Sequence, residues 1–467
     1  MRKIITTGLL LLGGVFFAQN KAVLYNFTAI PQSLSTNPGA DVAYKWHAGI
    51  PLLSGISANI GSTGFSAYDL FADNGVDFNT KLRNVISSVS REDKIMINQQ
   101  LEIFQGGFKV GDWNNVGYVS FGMYQEFDFL SYIPKDLIIL GLEGNQNYLG
   151  KYFNLSDLNL RAEMLTVFHV GYNKRMNEKF ILGVRGKIYS SIFNAQSTKN
   201  SGHLITTPSI TGNTIYNQTI LADVQLNTSG FAQYNDDKND IDVVKDITNR
   251  ALLGGNLGIG FDAGFTYYPK KNIQITASVT DIGFIRHTKD VESYRTKGTY
   301  NYVGILPDFF SGTGGNNVSK EFDEAFPRDT LKGSYTTWRP IKLNASIQHS
   351  FGETKAEECN CNSNDGTNYN NSVGVQLFAM STPRLPMMAL TAFYRKQLFK
   401  GLQAKATYTI DSFSSTNVGL GVSSQIGPVN LYLMSDNLLA FTDIAKAQSA
   451  SFQFGINVIV FGNSKNE

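Results

Sequence analysis

The sequence predicts an all-β protein, a transmembrane antiparallel up-and-down β-barrel of about fourteen strands with short helices in its extracellular loops. Two observations carry this prediction. Strand-like segments with one apolar and one polar face recur through most of the chain, and a segment typical of a signal peptide precedes them. From Ala450 to Val460, apolar residues occupy the even positions, and Ser, Gln, Gly or Asn occupy the odd positions up to Asn457. Because side chains alternate across a strand, one face suits lipid and the other a polar lumen.

The N-terminus has the three parts of a signal peptide. Arg2 and Lys3 supply positive charge, and residues 4–17 form an apolar stretch too short to span a bilayer comfortably. We place cleavage after Ala18, with Phe16 bulkier than is usual near the cut. We expect residues 1–18 to be removed, 19–42 to form an N-terminal periplasmic or plug segment, 43–463 to form the barrel and 464–467 to form a C-terminal tail.

Composition narrows the class further. The net charge is +2, which implies no charge-driven binding to nucleic acid. After the signal peptide, no stretch approaches the roughly 18 apolar residues of a membrane helix. The two cysteines, Cys359 and Cys361, are too few for a disulfide framework and supply at most two metal ligands. They form either a small-loop disulfide or two free thiols, and we predict neither a metal nor a cofactor.

Fourteen alternating segments can be counted, an even number as single-chain bacterial barrels require. Three less regular ones lie near 43–60, 99–111 and 115–128. The other eleven lie near 161–172, 180–188, 257–267, 273–280, 341–348, 373–379, 390–395, 402–410, 418–423, 429–436 and 449–460.

The connections between these segments alternate between short and long, as periplasmic turns and external loops do in outer-membrane barrels. Two connections break the rhythm: 353–370 is too long for a turn, and 381–386 is too short for a loop. A miscounted strand pair, such as a hairpin within 203–235, is therefore an alternative. Apolar spacing also predicts short loop helices at Asn79 to Ser90 and Val318 to Phe326.

A large soluble all-β protein, such as tandem sandwiches or a propeller, is the alternative fold. Sandwich strands also alternate, but they rarely combine an apolar face with a Ser, Thr, Gln or Gly face on every strand. No internal repeat of fixed length is visible, which argues against a propeller.

Charged residues fall on the predicted lumen face. The candidates are Glu126, Arg161, Glu163, His169, Arg185, Lys187, Asp262, Asp281, Lys342, Arg395 and Lys405. Arg185 and Asp262 lie on neighbouring strands and could form a pair. Either these charges simply pair in a polar interior, or they form a surface for selectivity or for docking of a plug.

Pro51 lies among apolar residues inside the first predicted strand. Proline cannot donate a ladder hydrogen bond and is normally confined to edges or bulges. The strand could begin after Pro51 or carry a harmless bulge. Alternatively, Pro51 marks a break in the wall that serves as a lateral exit for an apolar ligand.

No enzyme motif is present. The five histidines are scattered and include no H-E-x-x-H motif, and no plausible triad order is found. We therefore predict a protein that is not an enzyme.

The segment from Ile30 to Gly39 contains an Asn37-Pro38-Gly39 turn just before the first strand. This turn resembles the start of FadL-type outer-membrane proteins, and the architectural likeness covers the whole chain. The wider group includes hydrocarbon transporters and the PorV-like partners of the type 9 secretion system, and this chain looks closest to a Bacteroidota branch of it. The resemblance implies a fourteen-stranded barrel with its N-terminal segment in the lumen.

Two functions follow as expectations for a protein of the cell outer membrane. One is passive transport of a hydrophobic or small amphipathic molecule. The other is a non-transporting scaffold that docks a secretion, motility or surface-protein machine. The expected partners are outer-membrane lipid and either a hydrophobic ligand or a secretion-machinery protein, with no nucleic acid.

Overall fold

The computed structural model describes residues 21–111, 117–209, 215–235, 242–302, 324–355 and 367–461. Its strands, in chain order, are β1 (Trp46–Gly49), β2 (Ile56–Ser62), β3 (Lys94–Val110), β4 (Gly117–Tyr132), β5 (Tyr152–Asn154), β6 (Leu160–Asn177), β7 (Phe180–Pro208), β8 (Tyr216–Ser229), β9 (Asn256–Lys270), β10 (Ile273–His287), β11 (Ser293–Tyr302), β12 (Arg328–Leu331), β13 (Tyr335–Trp338), β14 (Lys342–Lys355), β15 (Thr367–Met380), β16 (Met387–Phe399), β17 (Leu402–Ile410), β18 (Asn417–Ile426), β19 (Val429–Ser435) and β20 (Ser449–Val460).

These strands form one closed antiparallel barrel with fourteen positions in its wall. β1 and β2 are two halves of the first position, and both pair with β3 on one side and β20 on the other. The wall continues through β4, β6, β7, β9, β10 and β14, and then from β15 to β20 in chain order. The prediction of a fourteen-stranded barrel is confirmed.

The two connections that broke the predicted rhythm do not change the strand count. β14 and β15 remain paired as far as Lys355 and Thr367, so a long connection still lies on the side of the short turns. The hairpin suspected within 203–235 exists as β7 and β8, but it adds no strand position around the barrel. Residues Asn194–Pro208 of β7 extend beyond the barrel wall and pair with β8. β11 and β12 continue this small external sheet.

The outside of the barrel is apolar. Val170, Ile259, Ile347 and Leu433 face outward, and each is more than half exposed. Buried polar residues face the other way: Ser346 and Gln348 flank Ile347, and Ser449, Ser451, Gln453 and Asn457 are buried on β20. An apolar exterior around a polar interior is the arrangement that a closed barrel needs in lipid, so the protein is an outer-membrane β-barrel.

The described loops contain five short α-helices: α1 (Ser33–Thr36), α2 (Ala67–Phe71), α3 (Phe78–Ser88), α4 (Lys135–Glu143) and α5 (Val243–Asn249). None of the helices in the described ranges is long and apolar enough to cross a bilayer. The helix predicted at Asn79 to Ser90 corresponds to α3, which begins after Asp77; the Asp77 carboxylate accepts a hydrogen bond from the Thr80 amide at 3.0 Å.

Several sequence expectations fall outside the described residues. They are the signal peptide, the C-terminal tail, Cys359 and Cys361, and most of the helix expected at Val318 to Phe326.

Candidate functional site

The N-terminal residues 21–45, here called the plug, lie inside the barrel. Val23, Phe27 and Ile30 are fully buried, and they pack with Tyr432 and Met434 of β19. The Val23 amide donates a hydrogen bond to the Asp436 carboxylate at 2.9 Å. The plug therefore fills lumen space that would otherwise connect the two sides of the membrane.

The Asn-Pro-Gly turn lies against the wall at β7 and β9. A Cβ on Gly39 would lie 2.3 Å from the Gly264 carbonyl oxygen, and one on Gly183 would lie 2.1 Å from the Pro38 carbonyl oxygen. Neither glycine could carry a side chain unless the plug moved, so both contacts require a residue without a Cβ.

Three of the predicted lumen cations hold the plug by its backbone. Arg185 donates hydrogen bonds to the carbonyl oxygens of Leu34 (3.0 Å) and Ser35 (2.8 Å). Lys405 reaches the carbonyl oxygens of Ala22 (3.0 Å) and Tyr25 (2.6 Å). Arg395 reaches that of Asn26 at 3.4 Å. These contacts support the plug-docking interpretation of the lumen charges.

One network of ion pairs crosses six strands of the lumen wall. Its acidic members are Glu126, Asp128, Glu163, Asp262 and Asp281, and its basic members are Arg161, Arg185, Lys187, Arg339 and Lys342. Five positive charges therefore face five negative ones. Each buried charge therefore has a partner of opposite sign, and the network carries no excess formal charge.

Arg339 has the most ion-pair partners in this network, and it was not among the residues predicted from the sequence. It is fully buried and contacts Glu126 (2.9 Å), Asp128 (2.9 Å) and Glu163 (2.5 Å). The residue lies between β13 and β14 and directly precedes Pro340. This break in the wall has no alternation of apolar and polar residues from which a lumen-facing position could be predicted. Only its position next to a proline at a strand start could have drawn attention to it.

The remaining network contacts lead toward the plug. Lys342 joins Glu126 (3.5 Å) to Asp281 (2.9 Å), and Lys187 joins Asp281 (2.5 Å) to Asp262 (2.9 Å). Asp262 accepts a hydrogen bond from Arg185 Nε at 2.6 Å. These two residues therefore form the pair that was expected from the sequence. Of the predicted residues, His169 stands apart and only approaches the Tyr124 ring, with 5.8 Å between ring centroids.

A cavity of about 110 Å³ lies between the plug and the extracellular mouth. Its lining includes the charged residues Lys21, Asp281 and Lys342. Its lining also includes the apolar residues Met96, Phe129, Leu130, Met380 and Pro383. The space can hold a molecule of a few heavy atoms that has one polar and one apolar end.

The tight loop 381–386 closes part of the mouth above this cavity. Arg384 donates a hydrogen bond to Asp157 at 3.2 Å, and its guanidinium lies 4.2 Å from the centroid of the Tyr132 ring. Tyr132 also shares a hydrogen bond with Thr382 at 3.1 Å. The short loop thus reaches from the β15–β16 side of the mouth to β4 and the loop that follows it.

The wall is interrupted at residues 50–55, here called the inserted turn. Gly49 pairs with Asn457, and Ile56 pairs with Phe454. The first strand therefore advances by seven residues while β20 advances by three, so the first strand contains four extra residues here. The Leu53 amide donates to the Ile50 carbonyl at 3.0 Å, and Leu52 has φ +63°, which defines a type II turn with Pro51 at its second position.

This geometry corrects part of the interpretation of Pro51. Pro51 does not interrupt a continuous ladder by lacking a donor, because it belongs to an outward turn. Leu52 and Leu53 are 51% and 43% exposed on the outside of the barrel. The Ile50 amide still bonds the Ile456 carbonyl (3.1 Å) and the Leu52 amide bonds the Ile103 carbonyl (3.1 Å), so the turn is tied to both neighbours.

Polar side chains seal the inserted turn from within. Gln32 of the plug donates hydrogen bonds to the Ser54 carbonyl (2.5 Å), to Glu102 (3.0 Å) and to Asn457 (3.0 Å). Tyr432 also donates to the Ser54 carbonyl, at 3.1 Å. Neither Gln32 nor Glu102 was a sequence candidate.

Glu102 was missed because β3 contains a bulge. The register of β3 against β4 shifts between Glu102 and Phe104, so even residues face the lumen before the bulge and odd residues such as Gln105 face it afterwards. A simple alternation count cannot follow this change.

The described residues offer little for catalysis or metal binding. Ser229 lies 2.8 Å from the His287 ring, but both residues are fully buried, so a substrate could not reach the hydroxyl. Within the described ranges, no group of three or more His, Cys, Asp or Glu side chains is placed to hold a metal ion.

The fold and the filled lumen define an outer-membrane β-barrel with an N-terminal plug. Over residues 38–436 the chain matches the family described as a family of unknown function (DUF5723), and it belongs to that family. No curated protein matches the sequence.

Three solved structures are similar in outline. A Pseudomonas aeruginosa FadL homologue has 10% sequence identity and a TM-score of 0.41, and the match covers 96% of this chain and 100% of that chain. The Ralstonia pickettii toluene transporter TbuX has 10% identity and a TM-score of 0.39, with 93% of this chain and 94% of that chain covered. The Pseudomonas putida toluene transporter TodX has 11% identity and a TM-score of 0.36, with 96% of this chain and 98% of that chain covered.

Proposed function

We propose that this outer-membrane barrel is a passive transporter of a small amphipathic molecule. The cavity above the plug is the observation that carries the proposal. Its lining combines apolar residues with charged ones, which suits a molecule that has one polar and one apolar end.

The inserted turn provides the exit in this proposal. Ser57 and Asn59, which line the cavity, follow the turn on the same strand. On the lumen side of the turn, Gln32 and Tyr432 contact Ser54, and Gln32 also contacts Glu102 and Asn457. A path into the bilayer would open if these side-chain bonds rearranged together with the backbone bonds that tie the turn to β3 and β20.

Ligand binding tests the first half of the proposal. Purified protein is incubated with small phenols and medium-chain fatty acids, desalted and examined by native mass spectrometry. We expect Ser57→Trp to lower probe occupancy several-fold, because the indole fills the cavity. Ile60→Trp is the matched control, since Ile60 lies on the same strand and is 53% exposed on the outside. Equal occupancy in the wild type and in Ser57→Trp would exclude the cavity as the binding site.

A second function is favoured by a different set of residues. The ion-pair network blocks much of the lumen, and Phe71, Phe78, Phe441 and Ile444 of the extracellular loops are each more than half exposed. These features suit a PorV-like scaffold that binds a secretion or surface-protein machine. A protein that co-purifies with the barrel and is lost in Phe71→Ser, while no probe binds, would support the scaffold over the transporter.

A further inference from the structure

The loop between β8 and β9 folds back over the outside of the barrel wall. Its described residues, 230–235 and 242–255, are here called the outer flap. Ser190 of β7 follows Ile188 by two residues, and Ile188 is 47% exposed toward lipid, so Ser190 also points outward. Ser190 is nevertheless fully buried, and its hydroxyl donates a hydrogen bond to the Arg250 carbonyl at 2.5 Å. The outer flap therefore covers the wall from outside at this position.

The covered area extends to the neighbouring strand. Thr166 of β6 pairs with Ser190, points to the same side and is fully buried. The segment Arg250–Gly254 of the flap lies against both strands. The Phe231 ring of the flap also packs on the Phe193 ring of β7, with 5.2 Å between their centroids. Without the flap, two hydroxyl groups of the wall would face outward where the barrel otherwise presents apolar side chains to lipid.

The outer flap lies at the extracellular edge of the surface that faces lipid. Ser190 pairs with Leu257 of β9, and ten residues separate Leu257 from Tyr267 near the periplasmic turn. Both of these β9 residues are exposed on the outside of the barrel. At about 3.3 Å per residue and a strand tilt of about 40°, they differ in height by roughly 25 Å. This is the height of the apolar band around an outer-membrane barrel, so the flap adjoins the top of that band.

The outward surface of the flap is apolar. Five of its apolar side chains are at least 40% exposed: Val243, Val244, Ile247, Leu252 and Leu253. Successive residues of a helix are about 100° apart, so the three exposed apolar residues of α5 share one side of the helix. Lys245 and Asn249 lie on the opposite side. The short helix therefore has one side that suits hydrocarbon and one that suits lipid headgroups.

Polar side chains within the flap are bonded to one another. Arg250 is buried and contacts Asp246 at 2.7 Å and Asp290, in the connection after β10, at 3.2 Å. Asp246 also accepts a hydrogen bond from the Tyr234 hydroxyl at 2.7 Å, and Asp290 accepts one from the Gln233 amide at 2.9 Å. An apolar outside around bonded polar groups is the arrangement that a segment in contact with lipid requires.

From this continuity with the lipid-facing wall we infer that the outer flap is immersed in the outer leaflet of the membrane, where its apolar side chains bind lipid acyl chains. The side of α5 that carries Lys245 faces the headgroups, as in helices that lie along a membrane interface. The lysine stem lies along the apolar surface while its amine extends to the headgroup phosphates. Lipid therefore meets the flap instead of the polar wall at Thr166 and Ser190.

The accessibility of nitroxide spin labels tests this inference. Cys359 and Cys361 are replaced by serine, and Val244→Cys, Val170→Cys and Val76→Cys are labelled separately in proteoliposomes. Val170 is 62% exposed on the lipid-facing wall, and Val76 is 41% exposed in the extracellular loop between β2 and β3, so they are the lipid and water references. We expect the label at residue 244 to collide freely with oxygen, and to collide several-fold less often with a water-soluble nickel chelate than the label at residue 76.

Nickel accessibility at residue 244 equal to that at residue 76 would place the flap in water and overturn the inference. Low accessibility to both reagents would overturn it as well, because protein rather than lipid would then cover the site. Leu252→Cys provides the same test if Val244→Cys does not fold. Lys245→Cys is the matched control on the opposite side of α5, and its label should be the more accessible to nickel. The reverse order would contradict the inferred orientation of the helix.

Discussion

At the scale of single residues, Arg339 is the side chain on which the lumen charges depend most. It is the shared partner of Glu126, Asp128 and Glu163, and it is fully buried. Removing one partner from a buried ion pair leaves an uncompensated charge, which is more damaging than exchanging the whole pair for apolar groups.

Arg339→Met should therefore lower the free energy of unfolding by about 3–5 kcal/mol. The temperature at which heat-modifiable gel mobility is lost measures this change. Arg286→Met is the control, since Arg286 is exposed and donates hydrogen bonds to the hydroxyls of Thr336 and Ser334. If both variants melt alike, the network does not contribute to stability as argued.

At the scale of strands, alternation identified every wall position because lipid and lumen impose opposite polarities on successive residues. It failed where the backbone departs from a regular ladder. The bulge in β3 hid Glu102, the four extra residues before β2 looked like strand, and Arg339 lies in a break. Tertiary contacts create these irregularities, so a two-residue period cannot reveal them.

The C-terminal strand tests the register. Phe454→Arg places a guanidinium in hydrocarbon and should lower stability by about 2–4 kcal/mol. Gln453→Arg should be tolerated, because Gln453 faces the lumen and lies 3.1 Å from the Asp436 carboxylate. Melting of the folded barrel on gels measures both. Equal losses would show that the strand faces are assigned wrongly.

A second lumen-facing position of the same strand, Asn457, lies against the plug. The sequence alone suggests that Asn457 should also accept arginine, as an open polar lumen would allow. Asn457 is instead fully buried and exchanges hydrogen bonds with Gln32 of the plug at 3.0 and 3.1 Å. Asn457→Arg should therefore displace the plug, and the position of the plug could be inferred only from the folded structure.

At the scale of the whole molecule, the mouth, the cavity and the plug follow one another from the extracellular side to the periplasmic side. The mouth is narrowed by loop 381–386, the cavity lies beneath it, the plug closes the periplasmic half, and the inserted turn faces lipid beside the plug. In the first strand, interior and bilayer are thus separated by a turn rather than by a regular ladder.

Delivery of an amphipathic probe to the bilayer tests this account most directly. A fluorescent phenol is added outside proteoliposomes whose bilayer contains an energy-transfer acceptor, and the rise in transfer is followed. The deletion of Pro51 to Ser54 removes the four extra residues and should make the first strand continuous. We expect rapid delivery by the wild type and delivery near that of empty liposomes for the deletion variant, with probe binding in the cavity retained. Delivery by the deletion variant at the wild-type rate would rule out an exit through the inserted turn.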